Sequence, residues 1–196
     1  MPDSASSITL ATNDAYDLTT AATIHVTSLA TTINSHRGRD VISRIYALLV
    51  THGHEIYLAR LADRIVGGIV IQVHGQPSPS VSALLARPTS WLTALHALGL
   101  REVSAQVIDF VKLKTAASKI APHDYILALY VDQPHRKHGI ARQLIDAAIR
   151  SSGSRRKPIV VDTNLSNLGA RSLYEKAGFS EQHRTSRSVL LKHPVG

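Results

Sequence analysis

Residues 125–150 read as a buried strand, a short basic turn and an amphipathic helix, and they constrain the fold more than any other stretch. The run Tyr-Ile-Leu-Ala-Leu-Tyr-Val ending at Val131 is almost wholly apolar, rich in aromatic and branched side chains, and closed by Asp132 and Pro134. That is the pattern of a strand. From Ala141 onward, Leu144, Ile145, Ala148 and Ile149 recur at helical spacing, the stripe of a helix lying on a sheet. Between strand and helix stands Arg136-Lys137-His138-Gly139. Such a turn offers backbone N–H groups and fixed positive charge at a helix N-terminus, a ready site for phosphate.

The elements before it supply partners for that strand. Ser7 to Ala11 alternates as a first strand, and Thr12-Asn13-Asp14 offers capping side chains for a helix from Ala15 to about Ile33. Ser35 to Asp40 reads as a loop. A second helix spans Val41 to Thr51, and His52-Gly53-His54 ends it. Glu55 to Leu61 and Ile65 to Val73 form a hairpin through Ala62-Asp63-Arg64. Gly67-Gly68 inside the second strand marks a bulge or a close backbone approach.

Residues 75–122 interrupt this pattern, a connection of roughly four dozen residues where a few are usual. It reads as a helical insertion before the central strand. A short helix covers Trp91 to Leu98. A longer one covers Arg101 to Lys119, with Val103, Val107, Phe110 and Val111 on one side. A lid over a substrate site, a structural cover and a dimer contact all fit it. After the central helix come a flexible basic loop (Ser151 to Arg156), a strand (Pro158 to Thr163) and a helix capped at Ser166-Asn167 and stopped at Gly178. Glu181 to Thr185 is a turn or strand, and Ser186 to Lys192 a last strand. At 196 residues this is one domain with a mixed α/β sheet.

Composition narrows the chemistry. Cysteine is absent, so disulfides, thiolate metal sites and a cysteine nucleophile are all excluded. The net charge of +8 favours anionic ligands, but the basic residues are dispersed and lack interleaved aromatics, which argues against a nucleic-acid surface. No run is long enough for a membrane span and no secretory leader is visible, so a cytoplasmic location is expected. Among 11 histidines the close pair is His52 and His54, without companion carboxylates, and no metal site is expected. The basic turn is neither a Walker loop nor a dinucleotide fingerprint.

What the turn does contain is Arg-x-x-Gly-x-Ala at Arg136, Gly139 and Ala141, followed downstream by Asn167, Ala170, Tyr174 and Gly178-Phe179. Together these motifs resemble the GNAT superfamily of acetyl-CoA-dependent N-acetyltransferases. The resemblance implies a mostly antiparallel sheet splayed at its central strands and flanked by helices. It places Arg136, Gly139 and Ala141 on the loop that holds the coenzyme A pyrophosphate, with the backbone of Lys137, His138 and Ile140 in the same turn. Lys137 and His138 are either contacts to the ribose phosphate or plain solvated residues. It further implies that Leu129, Tyr130 and Val131 lie along the pantetheine arm, that Asn167 and Ala170 contact the cofactor, and that Tyr174 protonates the leaving thiolate.

The implied reaction is direct attack of a neutral primary amine on the acetyl-CoA thioester. For the general base, His123, Asp124 and Glu55 are candidates, and a water-relayed path needs none of them. The acceptor is a small amine or a peptide, and a homodimer is left open. Two other readings remain: a non-catalytic acyl-CoA-binding module, and an acetyltransferase acting on aminoacyl-RNA.

Overall fold

The structure, a computed structural model, describes residues 6–29, 38–77, 100–120 and 122–194. Among these, seven strands form one sheet: β1 (Ser7–Leu10), β2 (Glu55–Leu61), β3 (Arg64–Gln72), β4 (Asp124–Val131), β5 (Ile159–Asn164), β6 (Ser180–Arg184) and β7 (Ser188–His193). Their order is β1-β2-β3-β4-β5-β7-β6, antiparallel throughout except between β4 and β5.

The helices are α1 (Ala15–Ser28), α2 (Arg39–Thr51), α3 (Leu100–Ser118), α4 (Ile140–Ser154) and α5 (Leu168–Lys176). Alternation along the strands sorts their side chains onto two faces. On one face Ile126, Ile159, Val161, Val189 and Leu191 pack with Leu144, Ile145 and Ala148 of α4 and Tyr174 of α5. On the other, Ile56, Leu58, Val70 and Tyr130 meet α1 and α2, while Tyr125, Val160 and Leu190 meet Leu113 and Ala117 of α3.

Several boundaries differ from the sequence reading. Asp14 caps α1 by accepting the Asp17 N–H at 2.9 Å, and α1 closes at Ser28 rather than about Ile33. Residues 35–37 of the Ser35 to Asp40 loop lie outside the described residues, and Arg39 and Asp40 already belong to α2. Residues 78–99 of the insertion, with the Trp91 to Leu98 helix, also lie outside them. The longer helix of the insertion is α3. There Leu113 and Ala117 turn inward while Val111, expected on the apolar side, is exposed. The glycine pair in β3 marks a close approach: a Cβ on Gly68 would stand 2.6 Å from the Tyr130 hydroxyl oxygen, and one on Gly67 2.8 Å from the Tyr130 carbonyl oxygen.

The expected flexible loop at Ser151 to Arg156 is instead the last turn of α4 and its C-cap at Arg155. What holds it is long-range. Arg155 Nε and Nη2 donate to Asp124 Oδ2 at 3.0 and 2.7 Å, and its Nη1 donates to Glu55 Oε1 at 2.6 Å. Ser152 Oγ donates to Asp124 Oδ2 at 2.7 Å, and the His74 N–H donates to Asp124 Oδ1 at 2.8 Å. Asp124 is fully buried (0 % exposed). Its charge is tolerated there because every donor around it is aimed at it. The clasp ties the starts of β2 and β4 to the end of α4.

Candidate active site

Pairing between β4 and β5 is confined to Asp124↔Ile159, Tyr125↔Val160 and Ile126↔Val161, after which the two strands part. At the same level β4 carries a bulge. Val70 faces Ala128 and Ile71 faces Ile126, so Leu127 is the extra residue, and its side chain is 41 % exposed. Beyond the bulge the antiparallel ladder with β3 resumes. The Asp132 N–H donates to Val66 O at 2.8 Å, which sets the alternation. It follows that Tyr130 pairs its backbone groups with β3, while the N–H and C=O of Leu129 and Val131 face away from β3, toward the gap. The Val131 carbonyl oxygen accepts from Arg136 Nε at 3.0 Å and from Ser28 Oγ at 3.2 Å.

A short 3-10 turn, Gln133–His135, leads from β4 to the basic turn. Gly139 is the N-cap of α4, with a left-handed backbone (φ +78°) and open space where a Cβ would project. No side chain caps the helix, and the N–H groups of Gly139, Ile140 and Ala141 find no acceptor among the described residues. Those donors and the helix dipole converge on one exposed spot, as an anion requires. The N-terminus of α4 therefore fits a pyrophosphate.

The side chains of the turn behave less uniformly. Arg136, though exposed, folds back on the chain: besides its bond to Val131, its Nη2 donates to Ser28 O at 3.4 Å, and its own N–H is used on Gln133 O at 3.3 Å. It braces the turn against β4 and α1. Lys137 and His138 are exposed, and Lys137 also holds a left-handed backbone (φ 66°). Ile140 buries its side chain in the core under the sheet, so its contribution to the site is its N–H.

Of the three β4 residues expected along the cofactor arm, Leu129 and Val131 present backbone to the gap. Tyr130 does not. Its ring stacks on Tyr46 (interplanar 11°) and tilts against His25, on the α1–α2 side. There His25 Nδ1 and the Tyr46 hydroxyl share a hydrogen bond of 2.7 Å. Burial lowers the His25 pKa from its ordinary 6.5 to about 4, so the imidazole is neutral at working pH.

Tyr174 projects from α5 with its ring buried against Phe179, centroids 5.3 Å apart. Its hydroxyl makes no hydrogen bond among the described residues. Burial pushes the phenol's pKa up, and the negative charge of Asp162 adds to the shift. The phenol stays protonated at any working pH, the state in which it can donate. Asn167 is the N-cap of α5: its Oδ1 accepts the Ala170 N–H at 3.1 Å, so these two residues set the start of that helix.

The candidate general bases fare differently from Tyr174. Asp124 and Glu55 are both committed to Arg155, away from the gap. His123 tilts against the Tyr125 ring, centroids 6.2 Å apart. What sequence reasoning passes over is Asp162, the first β5 residue beyond the last pair with β4. The Tyr125 hydroxyl donates to Asp162 Oδ1 at 2.5 Å. Lys114 Nζ, from α3, lies 3.4 Å from the centre of the Tyr125 ring. Burial lowers the Lys114 pKa to about 8, with Asp162 pulling the other way. A signal for Asp162 exists, a lone carboxylate in an apolar strand; none marks Lys114, which sits in an ordinary helical sequence.

The close histidine pair is used elsewhere: His52 Nδ1 bonds to Leu48 O at 2.8 Å, and His54 Nδ1 accepts the Val73 N–H at 3.1 Å. Among the described residues no group of three or more histidines and carboxylates gathers as for a metal, and no helix is long and apolar enough to cross a membrane.

Comparison with known proteins identifies the family and the fold. Residues 22–179 match the family model described as acetyltransferase (GNAT) family. Among curated proteins, none matches the sequence. Solved structures match over nearly the whole chain. An N-acetyltransferase from Staphylococcus aureus Mu50 aligns with a TM-score of 0.63 at 14 % identity, covering 98 % of this chain and 100 % of its own. The ribosomal-protein-S18-alanine N-acetyltransferase from Escherichia coli gives 0.58 at 13 % identity, covering 97 % and 95 %. PaiA N-acetyltransferase from Thermoplasma acidophilum, solved in complex with coenzyme A, gives 0.61 at 12 % identity, covering 96 % and 99 %. At these identities the structures speak for the fold.

Proposed function

The chain belongs to the acetyltransferase (GNAT) family, and on that footing we propose that it is an N-acetyltransferase, moving an acetyl group from acetyl-CoA to a primary amine by direct attack. The observation that carries this reading is the uncapped, glycine-led N-terminus of α4 standing beside the gap where β4 and β5 part. Acetyl-CoA, when bound, supplies a thioester carbonyl as the electrophile.

Each protein group then has a defined task. The N–H groups of Gly139, Ile140 and Ala141 hold the pyrophosphate, and Gly139 keeps a side chain out of its way. The backbone of Leu129 and Val131 borders the pantetheine arm as a strand edge with no pairing to β5. An N–H on that edge polarises the thioester carbonyl. Arg136 holds the end of β4 in register with the turn rather than touching phosphate through its guanidinium. Tyr174 keeps a proton on its hydroxyl and gives it to the departing thiolate.

The test is thiol release from acetyl-CoA against a panel of small amines and peptides. Release above hydrolysis with at least one acceptor supports the reading. Tight acetyl-CoA binding with no release for any acceptor would overturn it in favour of a non-catalytic acyl-CoA-binding module.

A further inference from the structure

One primary ammonium is already seated beside the gap, and it belongs to the protein itself. Lys114 Nζ stands 3.4 Å from the centre of the Tyr125 ring, and Tyr125 in turn holds Asp162 through its 2.5 Å hydrogen bond. An aromatic face and a carboxylate are the two groups that recognise an alkylammonium. Asp162 lies one residue past the Ile126↔Val161 pair, on the arm of β5 that leaves β4, and opposite the bulge at Leu127. Its charge also reaches the Tyr174 hydroxyl. The cluster is on the α3 side of the sheet, whereas the helix N-terminus that fits pyrophosphate begins α4, which covers the other side. Donor and ammonium thus approach the gap from opposite faces.

Resting on the acetyltransferase reading, we propose that Asp162 and Tyr125 form the seat for the acceptor's primary ammonium, and that Lys114 fills this seat as an internal surrogate when no acceptor is bound. The surrogate also describes its replacement. A lysine side chain presents an unbranched –CH2–NH3+ group, so the seat takes linear alkylamines or lysyl side chains in preference to the branched α-amine of a peptide N-terminus. Asp162 stays paired with Tyr125 and keeps its second oxygen for the incoming ammonium, which gives one proton to water before the neutral amine attacks the thioester.

The test uses n-butylamine, the lysine side chain without its backbone, alongside Nα-acetyl-lysine amide and alaninamide. Binding is read from the tyrosine ring resonances of the full chain, without any need for transfer. Butylammonium is expected to shift the Tyr125 signals. Lys114→Met should tighten butylammonium about tenfold, the size of a released cation–π contact. Asp162→Asn should weaken it by at least about tenfold. Tyr125→Phe keeps the ring and removes the hydroxyl, so it serves if Asp162→Asn does not fold: the phenyl face alone should still bind, and Lys114→Met added to it should tighten binding again. In thiol release, Lys114→Met should lower KM for butylamine by the same factor as the dissociation constant. A stronger response to Nα-acetyl-lysine amide than to butylamine points to protein lysines as the source, and the reverse to free amines; both keep the seat.

Equal affinity in wild type and Lys114→Met overturns the surrogate, and alaninamide binding as tightly as butylamine overturns the preference for unbranched amines. Butylammonium binding at Tyr125 without transfer to any amine would sink the acetyltransferase reading while leaving the seat standing. Transfer with a KM indifferent to Lys114 would sink the seat alone.

Discussion

The Tyr125 hydroxyl donates to the Asp162 carboxylate at 2.5 Å, joining β4 to β5 by side chains just where their backbones cease to pair. The same bond raises the pKa of the Tyr125 phenol, after burial, so it remains a donor across the working range.

Tyr174→Phe keeps the packing against Phe179 and removes the hydroxyl proposed to protonate the leaving thiolate. It should lower kcat about a hundredfold, the lower range for a lost general acid, and leave acetyl-CoA affinity unchanged. Thiol release at saturating substrates, with calorimetric binding alongside, checks both halves. Undiminished kcat would remove Tyr174 from the reaction.

Gly139→Ala tests the anion site. Because Gly139 is left-handed at φ +78°, any Cβ there should cost roughly 1–2 kcal/mol of stability. Open space surrounds the position in the free protein, so no clash adds to that figure. Coenzyme A binding should weaken as well, since the methyl would project into the space proposed for the pyrophosphate. Denaturant unfolding and titration calorimetry separate the two effects.

Arg155→Met should destabilise the fold by about 3–5 kcal/mol, the cost of leaving a buried carboxylate without its partner. Asp124 has no route to water in this position. Urea unfolding measures the loss. Asp124→Asn in the Arg155→Met background should recover part of it, because the stranded charge is then gone.

His25 gives a pH dependence with a definite sign. Its folded pKa is near 4 and its unfolded value near 6.5, so as pH falls the unfolded chain takes up the proton first. The contribution is constant above pH 6.5 and is lost progressively from there toward pH 4. Between about pH 6.5 and about pH 5 the loss amounts to about 2 kcal/mol. Urea midpoints at both pH values should show this loss in the wild type and not in His25→Gln. An equal pH response in both proteins would refute the buried neutral imidazole.

Gly68→Ala should cost about 1–3 kcal/mol by overpacking against the Tyr130 ring. The new Cβ would lie 2.6 Å from the Tyr130 oxygen and 2.8 Å from its Cζ, and a stacked ring cannot withdraw easily. Thermal unfolding of the variant checks it.

Local signals in the sequence suffice where the cause is local. The apolar run of β4, the helical stripe from Ala141, the Asn167 cap and the left-handed Gly178 at φ +92° all act within a few residues and are all readable. Contacts made across the chain are not. Ser151 to Arg156 reads as a loop because what fixes it is Arg155 reaching Glu55 and Asp124, which lie 100 and 31 positions earlier in the chain. The bulge at Leu127 depends on the register of β3, and Lys114 acquires meaning only once α3 is laid over Tyr125. The face taken by the Tyr130 ring is hidden from the sequence for the same reason: the bulge at Leu127 exchanges the faces of everything that follows.

The three-pair seam between β4 and β5 has a mechanical consequence. The sheet is two leaves, β1 to β4 and β5 to β7, bound along a spine only three residues long. A spine that short resists being pulled apart yet gives little resistance to torsion about its own axis. Arg155 and Ser152 fasten the bound end through Asp124, the first residue of the spine. The width of the open end is thus governed by how the two leaves are twisted, and helices packed on either leaf act on it as levers.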